Sequence, residues 1–360
     1  MLRLLIIAFL TITSVFGQTR LQLKDNEKQI LDQLLDKNKY DSRISPVGPE
    51  VNGTQGPVVV NTNLYLRSIE YICTKRNEWK AQITFRHQWN DQRLKYDDKS
   101  GKIKYLSLED KDQIWTPDTF FSNSRSGEAL KDLKPNVLVR IYPNGNVLFS
   151  IRLSEVLSCP MDLKHYPFDT QTCSLQMASY GFTTEDLVYA WKEELPLQVT
   201  KRLNLPEFVL EDYNTDYCTS KTTTGEYSCI RADFHFRRES SKYGCQWFLP
   251  TAILTFIAFI SFWLKPNKST RIKLLVVTLI FLYLHILYIN GKSSPAVSYH
   301  TAKDCWLSTC LVFVLAAFLE YGVVHLVHKL VKPNKCPIDS SDCQNGKNVN
   351  NCEEGDAVAL

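Results

Sequence analysis

The sequence predicts an extracellular all-β domain, an immunoglobulin-like β-sandwich, followed by a domain of membrane-spanning α-helices. Three observations predict this order. Residues 51–241 contain many short stretches of alternating apolar and polar residues, separated by turn signals. Residues 242–330 contain long apolar runs of the length that crosses a bilayer. The chain also starts with a secretory signal pattern, which delivers the first domain to the lumen.

The signal pattern is MLRLLIIAFLTITSVFG, residues 1–17, with Arg3 before a short apolar run. It predicts a signal peptide that is cleaved after Gly17. A membrane anchor is the alternative, and the shortness of the apolar run argues against it. The formal net charge of +4 over 360 residues is too small to indicate a nucleic-acid-binding protein.

Residues 18–50 are polar and contain LKDNEKQILDQLLD, in which Leu31, Leu34 and Leu35 recur at helical spacing. We therefore predict a helical segment before the sandwich. The stretches VVVNTNLYLRSI, WKAQITFRHQW, VLVRIYP and NVLFSIRL then predict strands. Asn144-Gly145, between the last two stretches, predicts a hairpin.

Three membrane spans are predicted, over residues 245–264, 274–289 and 306–327. Basic residues between the first two spans and after the third place both segments in the cytosol by the positive-inside rule. The N-terminal domain is then extracellular and the chain crosses the bilayer three times. Residues 331–360 are polar and predict a disordered cytosolic tail with reduced cysteines.

The cysteines of the lumenal region predict two disulfides. Cys159 and Cys173 enclose thirteen residues, and Cys218 and Cys229 enclose TSKTTTGEYS. In an oxidising compartment such pairs usually form disulfides. A zinc site is the alternative, although neither pair has the close spacing of a zinc knuckle. Cys73 is left over, either as a free thiol or as a partner for another chain.

Two glycosylation sequons are present, Asn52-Gly53-Thr54 and Asn267-Lys268-Ser269. We expect Asn52 to be glycosylated because it is lumenal, and the second sequon to be unused because it is cytosolic. The histidines His87, His165 and His235 fit no nucleophile or metal motif. The sequence therefore predicts no enzyme activity, no metal and no cofactor.

A family resemblance rests on three motifs. The first is the disulfide loop with Tyr166-Pro167-Phe168-Asp169 at its centre, and the others are Trp89-x-Asp91-x-Arg93-Leu94 and Trp115-x-Pro117-Asp118. With the membrane spans directly after the sandwich, residues 50–330 resemble the Cys-loop receptors, the pentameric ligand-gated ion channels. Within that family the chain is most similar to invertebrate glutamate-gated chloride channel subunits. The segments that carry this similarity are VNGTQGP, IKYL, FFSN, PNGNVL, MASYGFTTEDL, DYCTSK and TGEYSC.

The resemblance implies a transmitter site between two subunits. On one face, Arg67 and Arg86 would bind the carboxylates of glutamate, with Ser150 assisting Arg86. The other face would hold the ammonium in an aromatic cage. Its implied members are Ser179, Tyr180, Thr224, Tyr227 and Phe120 or Phe121. Without the resemblance, each arginine would be interpreted as an ordinary solvated strand residue and one of the two phenylalanines as core.

The resemblance also implies a coupling role for the tip of the disulfide loop, Tyr166-Pro167-Phe168-Asp169. This tip would press on the membrane domain beside NGKSSPAVSYHTAKD, the segment between the second and third spans. Arg238 resembles the family's basic residue at that junction. The alternative is that the loop only caps the sandwich.

The second span is expected to line the pore. Arg271 would stand at its entrance, and Lys273, Val277, Ile280 and Leu284 follow at helical spacing. The entrance Ser-Thr-Arg departs from the family's Pro-Ala-Arg. Five copies of Lys273 around a pore would repel cations, and would either attract anions or block them.

The expected function is that of a subunit of a pentameric glutamate-gated chloride channel in the plasma membrane, at postsynaptic sites. Its partners would be glutamate or a related amino-acid transmitter, chloride, the lipid bilayer and other subunits of a homo- or hetero-pentamer. The family's fourth span is not found in the sequence. A non-conducting or dominant-negative regulatory subunit, or a truncated product, is therefore the alternative.

Overall fold

The structure, a computed structural model, describes residues 22–51, 53–98, 102–130, 134–264, 269–293 and 297–331. The described residues form two compact units. One contains those up to Gly244 together with those of Ser293–Cys305, and the other contains those of Cys245–Lys292 and those from Trp306 onward. The predicted signal peptide, the sequon residue Asn52 and the predicted tail beyond Val331 lie outside the described residues.

The first unit is a β-sandwich, which confirms the predicted fold class. The larger sheet contains β3 (Val58–Cys73), β4 (Glu78–Asn90), β5 (Leu106–Leu108), β7 (Ser124–Ala129), β8 (Val137–Ile141), β9 (Asn146–Ser158), β11 (Leu187–Trp191) and β12 (Leu197–Val199). Its strand order is β11-β3-β4-β9-β8-β5, with β12 beside β3 and β7 beside β9. The smaller sheet contains β6 (Thr119–Phe121), β10 (Thr170–Ser179), β13 (Phe208–Tyr217) and β16 (Cys229–Arg238). Its strand order is β13-β16-β10-β6.

Two short hairpins accompany the sheets, β1 (Glu50–Val51) with β2 (Thr54–Gln55) and β14 (Ser220–Thr222) with β15 (Gly225–Tyr227). The longer predicted hairpin, between β8 and β9, is also present. Its turn contains Gly145 at φ +81°, a left-handed conformation that glycine adopts without strain. A Cβ on Gly145 would come within 2.7 Å of the Asp91 carbonyl oxygen, so this position also requires the absence of a side chain.

The core lies between the sheets and follows the alternation of the strands. On β4, Trp79, Ala81 and Ile83 point inward and are fully buried. The Trp79 ring meets Phe234 of β16 with ring centroids 5.4 Å apart. Burial of each large apolar side chain contributes roughly 1.5–3 kcal/mol. The residues between them, such as Gln82, face outward, which leaves the outer face of the larger sheet polar.

Within the segment where an N-terminal helix is predicted, residues 22–34 form the helix α1. Its apolar residues Ile30, Leu31 and Leu34 pack against the core of the sandwich. The other described residues of the 18–50 segment form turns, loops and the first residue of β1. Leu35 falls just beyond the end of the helix.

The second unit contains most of the three apolar helices. The first of these helices runs over Ser241–Trp263, with α2 (Ser241–Tyr243) and α3 (Leu249–Ile260) joined by a π-helical stretch over Gly244–Phe248. It is followed by α4 (Ser269–Ser293) and α5 (Ala302–Val331). All three are long and apolar enough to cross a bilayer. The helices exceed the predicted spans because polar residues at their ends continue the helical backbone. They pack through a small cluster of Ala258, Leu275, Leu282, Cys310, Val314 and Ala317.

Candidate functional site

The outer face of the larger sheet carries a cationic cluster built around Arg86. On β4, Arg86 lies opposite Asn63 of β3 and opposite Ser150 of β9. Its Nη1 donates to Asn63 Oδ1 at 2.8 Å and to Gln198 Oε1 at 3.5 Å. The strand register therefore places Ser150 on the same outer face as the half-buried Arg86, as its cross-strand neighbour on β9.

Arg67 lies on the same face, at a bulge in β3 between Leu66 and Ser68. Its Nε donates to Thr84 Oγ1 at 2.5 Å, and its guanidinium stands 5.1 Å from the centre of the Tyr65 ring. Thr84 and Arg86 are two residues apart on β4 and so point to the same side. The structure thus brings Arg67, Arg86 and Ser150 together on one surface.

An aromatic surface lies on the smaller sheet. Tyr180 is 79% exposed, and its ring meets the edge of Phe120 with centroids 5.6 Å apart. Phe121, the next residue of β6, points the other way and contacts Phe85 at 6.1 Å. Strand alternation therefore makes Phe120 the surface residue and Phe121 a core-facing residue.

Ser179 has a different position from the neighbouring Tyr180. It is buried, its Oγ donates to Asp118 Oδ1 at 2.7 Å, and the same Oγ accepts from Phe182 N–H at 2.9 Å. Asp118 Oδ2 also accepts from Gly181 N–H at 2.6 Å. The Ser179 hydroxyl is thus used inside the loop, where it and Asp118 fix the backbone that presents Tyr180. The motif Trp115-x-Pro117-Asp118 contains this carboxylate, but its spacing gives no sign of the contact.

A short flap stands beside the aromatic surface. It is the β14–β15 hairpin, enclosed by the Cys218–Cys229 disulfide with a Cα–Cα distance of 4.8 Å. At its tip, Tyr227 Oη and Thr224 Oγ1 are hydrogen-bonded at 3.0 Å. Thr224 is exposed and Tyr227 is half-buried, so both can be reached from solvent.

The cationic and aromatic groups belong to different sheets of the sandwich. The structure does not bring them together within one chain, because the core separates the outer faces of the two sheets. A ligand that needs both groups would have to lie between two chains, each contributing one face.

The base of the sandwich contains a buried ion pair at the end of β16. Arg238 Nε donates to Asp169 Oδ1 at 2.8 Å, and Nη2 donates to Oδ2 at 3.1 Å, a bidentate pair. Both side chains are almost fully buried, at 1% and 2% exposure. The guanidinium also lies over the rings of Tyr166 and Phe208, at 4.8 and 4.4 Å. Burial raises the pKa of the Tyr166 hydroxyl, which stays neutral.

The disulfide loop Cys159–Cys173, with a Cα–Cα distance of 4.9 Å, contributes Asp169 to this ion pair. Its backbone is bonded to Tyr299, just before α5, and to the first residue of that helix. Leu163 N–H donates to Tyr299 Oη at 2.9 Å, and Ala302 N–H donates to the Lys164 carbonyl at 2.8 Å. At the loop tip, Tyr166, Pro167 and Asp169 are buried whereas Phe168 is exposed.

Helix α4 carries the residues that the sequence suggests for a pore. Lys273, Val277, Ile280 and Leu284 all lie on one exposed stripe of this helix. Arg271 does not share this stripe. Its side chain is 2% exposed and forms an ion pair with Glu320 of α5. The helical spacing from Arg271 follows the buried positions Leu275, Thr278 and Leu282, whose side is opposite to that of Lys273.

Removing one partner of the Arg271–Glu320 pair is expected to destabilise the helical unit. We expect Glu320→Gln to cost about 2 kcal/mol, less than the roughly 3–5 kcal/mol of a fully buried pair, because Glu320 is half-buried. The charge-swapped double variant R271E/E320R should recover most of this loss. Thermal unfolding of the detergent-solubilised full chain measures both. Equal destabilisation by the single and the swapped variants would contradict the pairing.

Within the described ranges, no group of three or more metal-ligating side chains is found. His87, on β4 next to Arg86, points into the core, where burial lowers its pKa to about 3. It is neutral at physiological pH and adds no charge to the cationic face. Cys73 is a free, half-buried thiol.

Comparison with known proteins agrees with this arrangement. Residues 27–240 match the family model described as "Neurotransmitter-gated ion-channel ligand binding domain". Residues 247–344 match the model described as "Neurotransmitter-gated ion-channel transmembrane region". The chain is 48% identical over 323 residues to a "Glutamate-gated chloride channel" of Drosophila melanogaster. The aligned region covers 89% of this chain and 70% of the Drosophila protein.

These matches confirm the resemblance that the sequence motifs suggest, and they describe a ligand-gated channel and not an enzyme. Membership of this family implies an oligomeric assembly and a neurotransmitter ligand. The sandwich is the extracellular part and the apolar helices are the membrane-spanning part. The chain therefore belongs to the neurotransmitter-gated ion-channel family, the Cys-loop receptors, as a multi-pass channel subunit.

Proposed function

We propose that this chain is a subunit of a pentameric glutamate-gated chloride channel of the plasma membrane, acting at postsynaptic sites. The observation that carries the proposal is the pair of guanidinium groups of Arg67 and Arg86 on one outer face, with Ser150 beside Arg86. A dicarboxylate presents two anionic groups separated by a few carbon atoms, and two separated arginines match that pattern. The Drosophila relative is named for glutamate and chloride, which supports the same ligand and ion for this chain.

Glutamate would lie between two subunits. Arg67 and Arg86 of one subunit would each bind a carboxylate by charge-assisted hydrogen bonds. The ammonium would lie against Tyr180 and Tyr227 of the neighbour, where each cation–π contact contributes roughly 0.5–2 kcal/mol. The flap, with Thr224 at its tip, would close over the ligand.

The movement of the closing flap would be transmitted towards the membrane along β16. This strand begins at Cys229, whose disulfide with Cys218 holds the flap, and it ends at Arg238. The Arg238–Asp169 pair joins the strand to the disulfide loop, and the loop is bonded to Tyr299 and to the first residues of α5. Movement of β16 would thus shift the segment between the second and third membrane helices. In the pentamer, α4 would line the pore with Lys273, whose charge favours anions.

The proposal predicts a marked loss of glutamate sensitivity in Arg67→Ala. We expect the half-maximal glutamate concentration to rise about 10- to 100-fold, because a hydrogen bond to a charged group contributes about 1.5–3 kcal/mol. Voltage clamp of cells that express the full chain with a conducting partner subunit measures this. Arg140→Ala, on the outer face of β8, is the matched control and should change the value less than 2-fold. An unchanged response of Arg67→Ala would contradict the proposed role.

A non-conducting regulatory subunit is the second candidate. The observation that favours it is the exposed stripe of α4, where Lys273 is followed by Val277, Ile280 and Leu284 with no hydroxyl group. An apolar pore lining favours dewetting, and a ring of lysines can hold an anion instead of passing it. Co-expression would then reduce the current of a conducting partner. Lys273→Ser should restore that current under this candidate, whereas under the first candidate it should reduce anion selectivity.

A further inference from the structure

We propose that Asn63 is a positioning residue for carboxylate recognition, and that its side-chain amide holds the Arg86 guanidinium in the orientation that binds the ligand. The inference rests on the proposed function, and it assigns to Asn63 and Gln198 a role in ligand affinity. Neither residue would touch the ligand. Both would act through Arg86.

Every polar atom of the Asn63 amide is used. Its Oδ1 accepts from Arg86 Nη1 at 2.8 Å. Its Nδ2 donates to the Leu195 carbonyl at 2.5 Å and to the Pro196 carbonyl at 3.2 Å. Because both amide hydrogens meet carbonyl oxygens, the amide oxygen must face the guanidinium. Asn63 is only 7% exposed, so burial restricts other side-chain orientations.

The two carbonyl groups belong to a turn that is itself bound to β3. Leu195 has φ +53°, in the left-handed region that a leucine rarely adopts, and its side chain is exposed to solvent. Leu64 N–H donates to the Pro196 carbonyl at 2.9 Å, after which β12 runs parallel to β3. The turn is therefore held in an unfavourable conformation by β3, and the Asn63 amide contributes to holding it.

Gln198 supplies the second neutral acceptor. It lies opposite Tyr65 of β3, and its Oε1 is 3.5 Å from Arg86 Nη1. Both groups that hold the guanidinium are amides, and both bind the same nitrogen. The Nε and Nη2 atoms of Arg86 make no hydrogen bond to any described residue, so they remain available as a fork for a carboxylate.

Both acceptors of the Arg86 guanidinium are neutral, and a charged acceptor would weaken the attraction of Arg86 for a carboxylate. An aspartate at position 63 would also accept from Nη1, but its charge would cancel that of Arg86 and compete with the ligand's carboxylate. It would also lose both hydrogen bonds to the turn and set its own oxygens against two carbonyl oxygens. An amide holds the guanidinium while leaving its full positive charge for the ligand.

Binding of radiolabelled glutamate to membranes of cells expressing the full chain tests this inference. We expect Asn63→Asp to raise the Kd for glutamate about 10- to 100-fold with an unchanged number of sites at the cell surface. Asn61→Asp is the matched control, since Asn61 is the next outward residue of β3 and receives the same charge change. It should change the Kd less than 2-fold.

A double-mutant cycle separates positioning from a general effect on the fold. In an Arg86→Lys background, Asn63→Asp should raise the Kd much less than in the wild type, because its effect passes through Arg86. If Asn63→Asp fails to reach the surface, Gln198→Glu decides the question, with an expected 3- to 10-fold rise in Kd.

An unchanged Kd for glutamate in Asn63→Asp, or in Gln198→Glu where that variant replaces it, would overturn the inference. An equal rise in Kd in the wild-type and Arg86→Lys backgrounds would also overturn it. Such a result leaves the proposed function intact, because the wild-type chain still binds glutamate. Absence of glutamate binding by the wild-type chain together with its partner subunit would instead overturn the proposed function.

Discussion

Replacement of Arg238 with alanine is expected to lower the free energy of unfolding by about 3–5 kcal/mol, which is typical when one partner of a buried ion pair is removed. The reason is Asp169, whose carboxylate would remain buried after losing its bidentate partner. The cavity left between the Tyr166 and Phe208 rings adds to the loss. Thermal unfolding of the full chain in detergent and the amount of chain at the cell surface both measure the effect.

The neighbouring Arg237→Ala is the matched control. Arg237 is exposed and pairs at 2.6 Å with Glu211, which is also exposed. A solvated pair of this kind contributes about 0–1 kcal/mol. Equal unfolding temperatures of Arg237→Ala and Arg238→Ala would contradict the importance of the buried pair.

The double variant R238M/D169L distinguishes stability from signal transmission. Apolar replacement of both partners commonly restores stability, because no charge remains buried. We expect this variant to reach the cell surface and bind glutamate, but to give a reduced maximal current. Full restoration of the current would show that the ion pair only stabilises the base of the sandwich.

Replacement of Arg86 with alanine should remove the response to glutamate almost completely, with a loss of apparent affinity of about 100-fold or more. The variant removes the charge and the bidentate fork together, and a charge-assisted hydrogen bond is roughly twice as strong as a neutral one. Ser150, the neighbour on β9, cannot replace a cation. The measurement is the glutamate concentration dependence of binding in membranes from cells expressing the full chain.

Gln88→Ala is the control for this second prediction, because Gln88 is the next outward residue of the same strand. It should leave the affinity for glutamate within about 2-fold of the wild type. A similar loss in both variants would indicate a general change in the sheet and would argue against a specific role for Arg86.

Much of this fold is predictable from the sequence because the signals are local. Period-two alternation places the strands, and it also places Arg67 and Arg86 in strands that the structure shows to be neighbours. Alternation likewise requires that Phe120 and Phe121 point to opposite sides. It does not decide which of them faces the core, because that depends on the packing of Phe121 against Phe85 from another strand.

The features that sequence reasoning missed depend on contacts between residues far apart in the chain. Asn63 is 132 residues from the Leu195 carbonyl it binds, and a single amide in a strand has no pattern that distinguishes it from solvated neighbours. Arg271 and Glu320 are 49 residues apart. The Ser179 hydroxyl is likewise turned inward by Asp118, which lies 61 residues earlier.

The central claim is that the arginines of one chain and the tyrosines of another form a single site. Co-expression of an Arg86→Ala chain with a Tyr180→Ala chain tests it most directly, with both chains tagged to verify that they co-assemble. Each variant alone should bind glutamate poorly. Together they should recover a fraction of sites with wild-type affinity, at interfaces where the intact aromatic face of one chain meets the intact cationic face of the other. Co-assembled chains that recover no high-affinity site would contradict the claim.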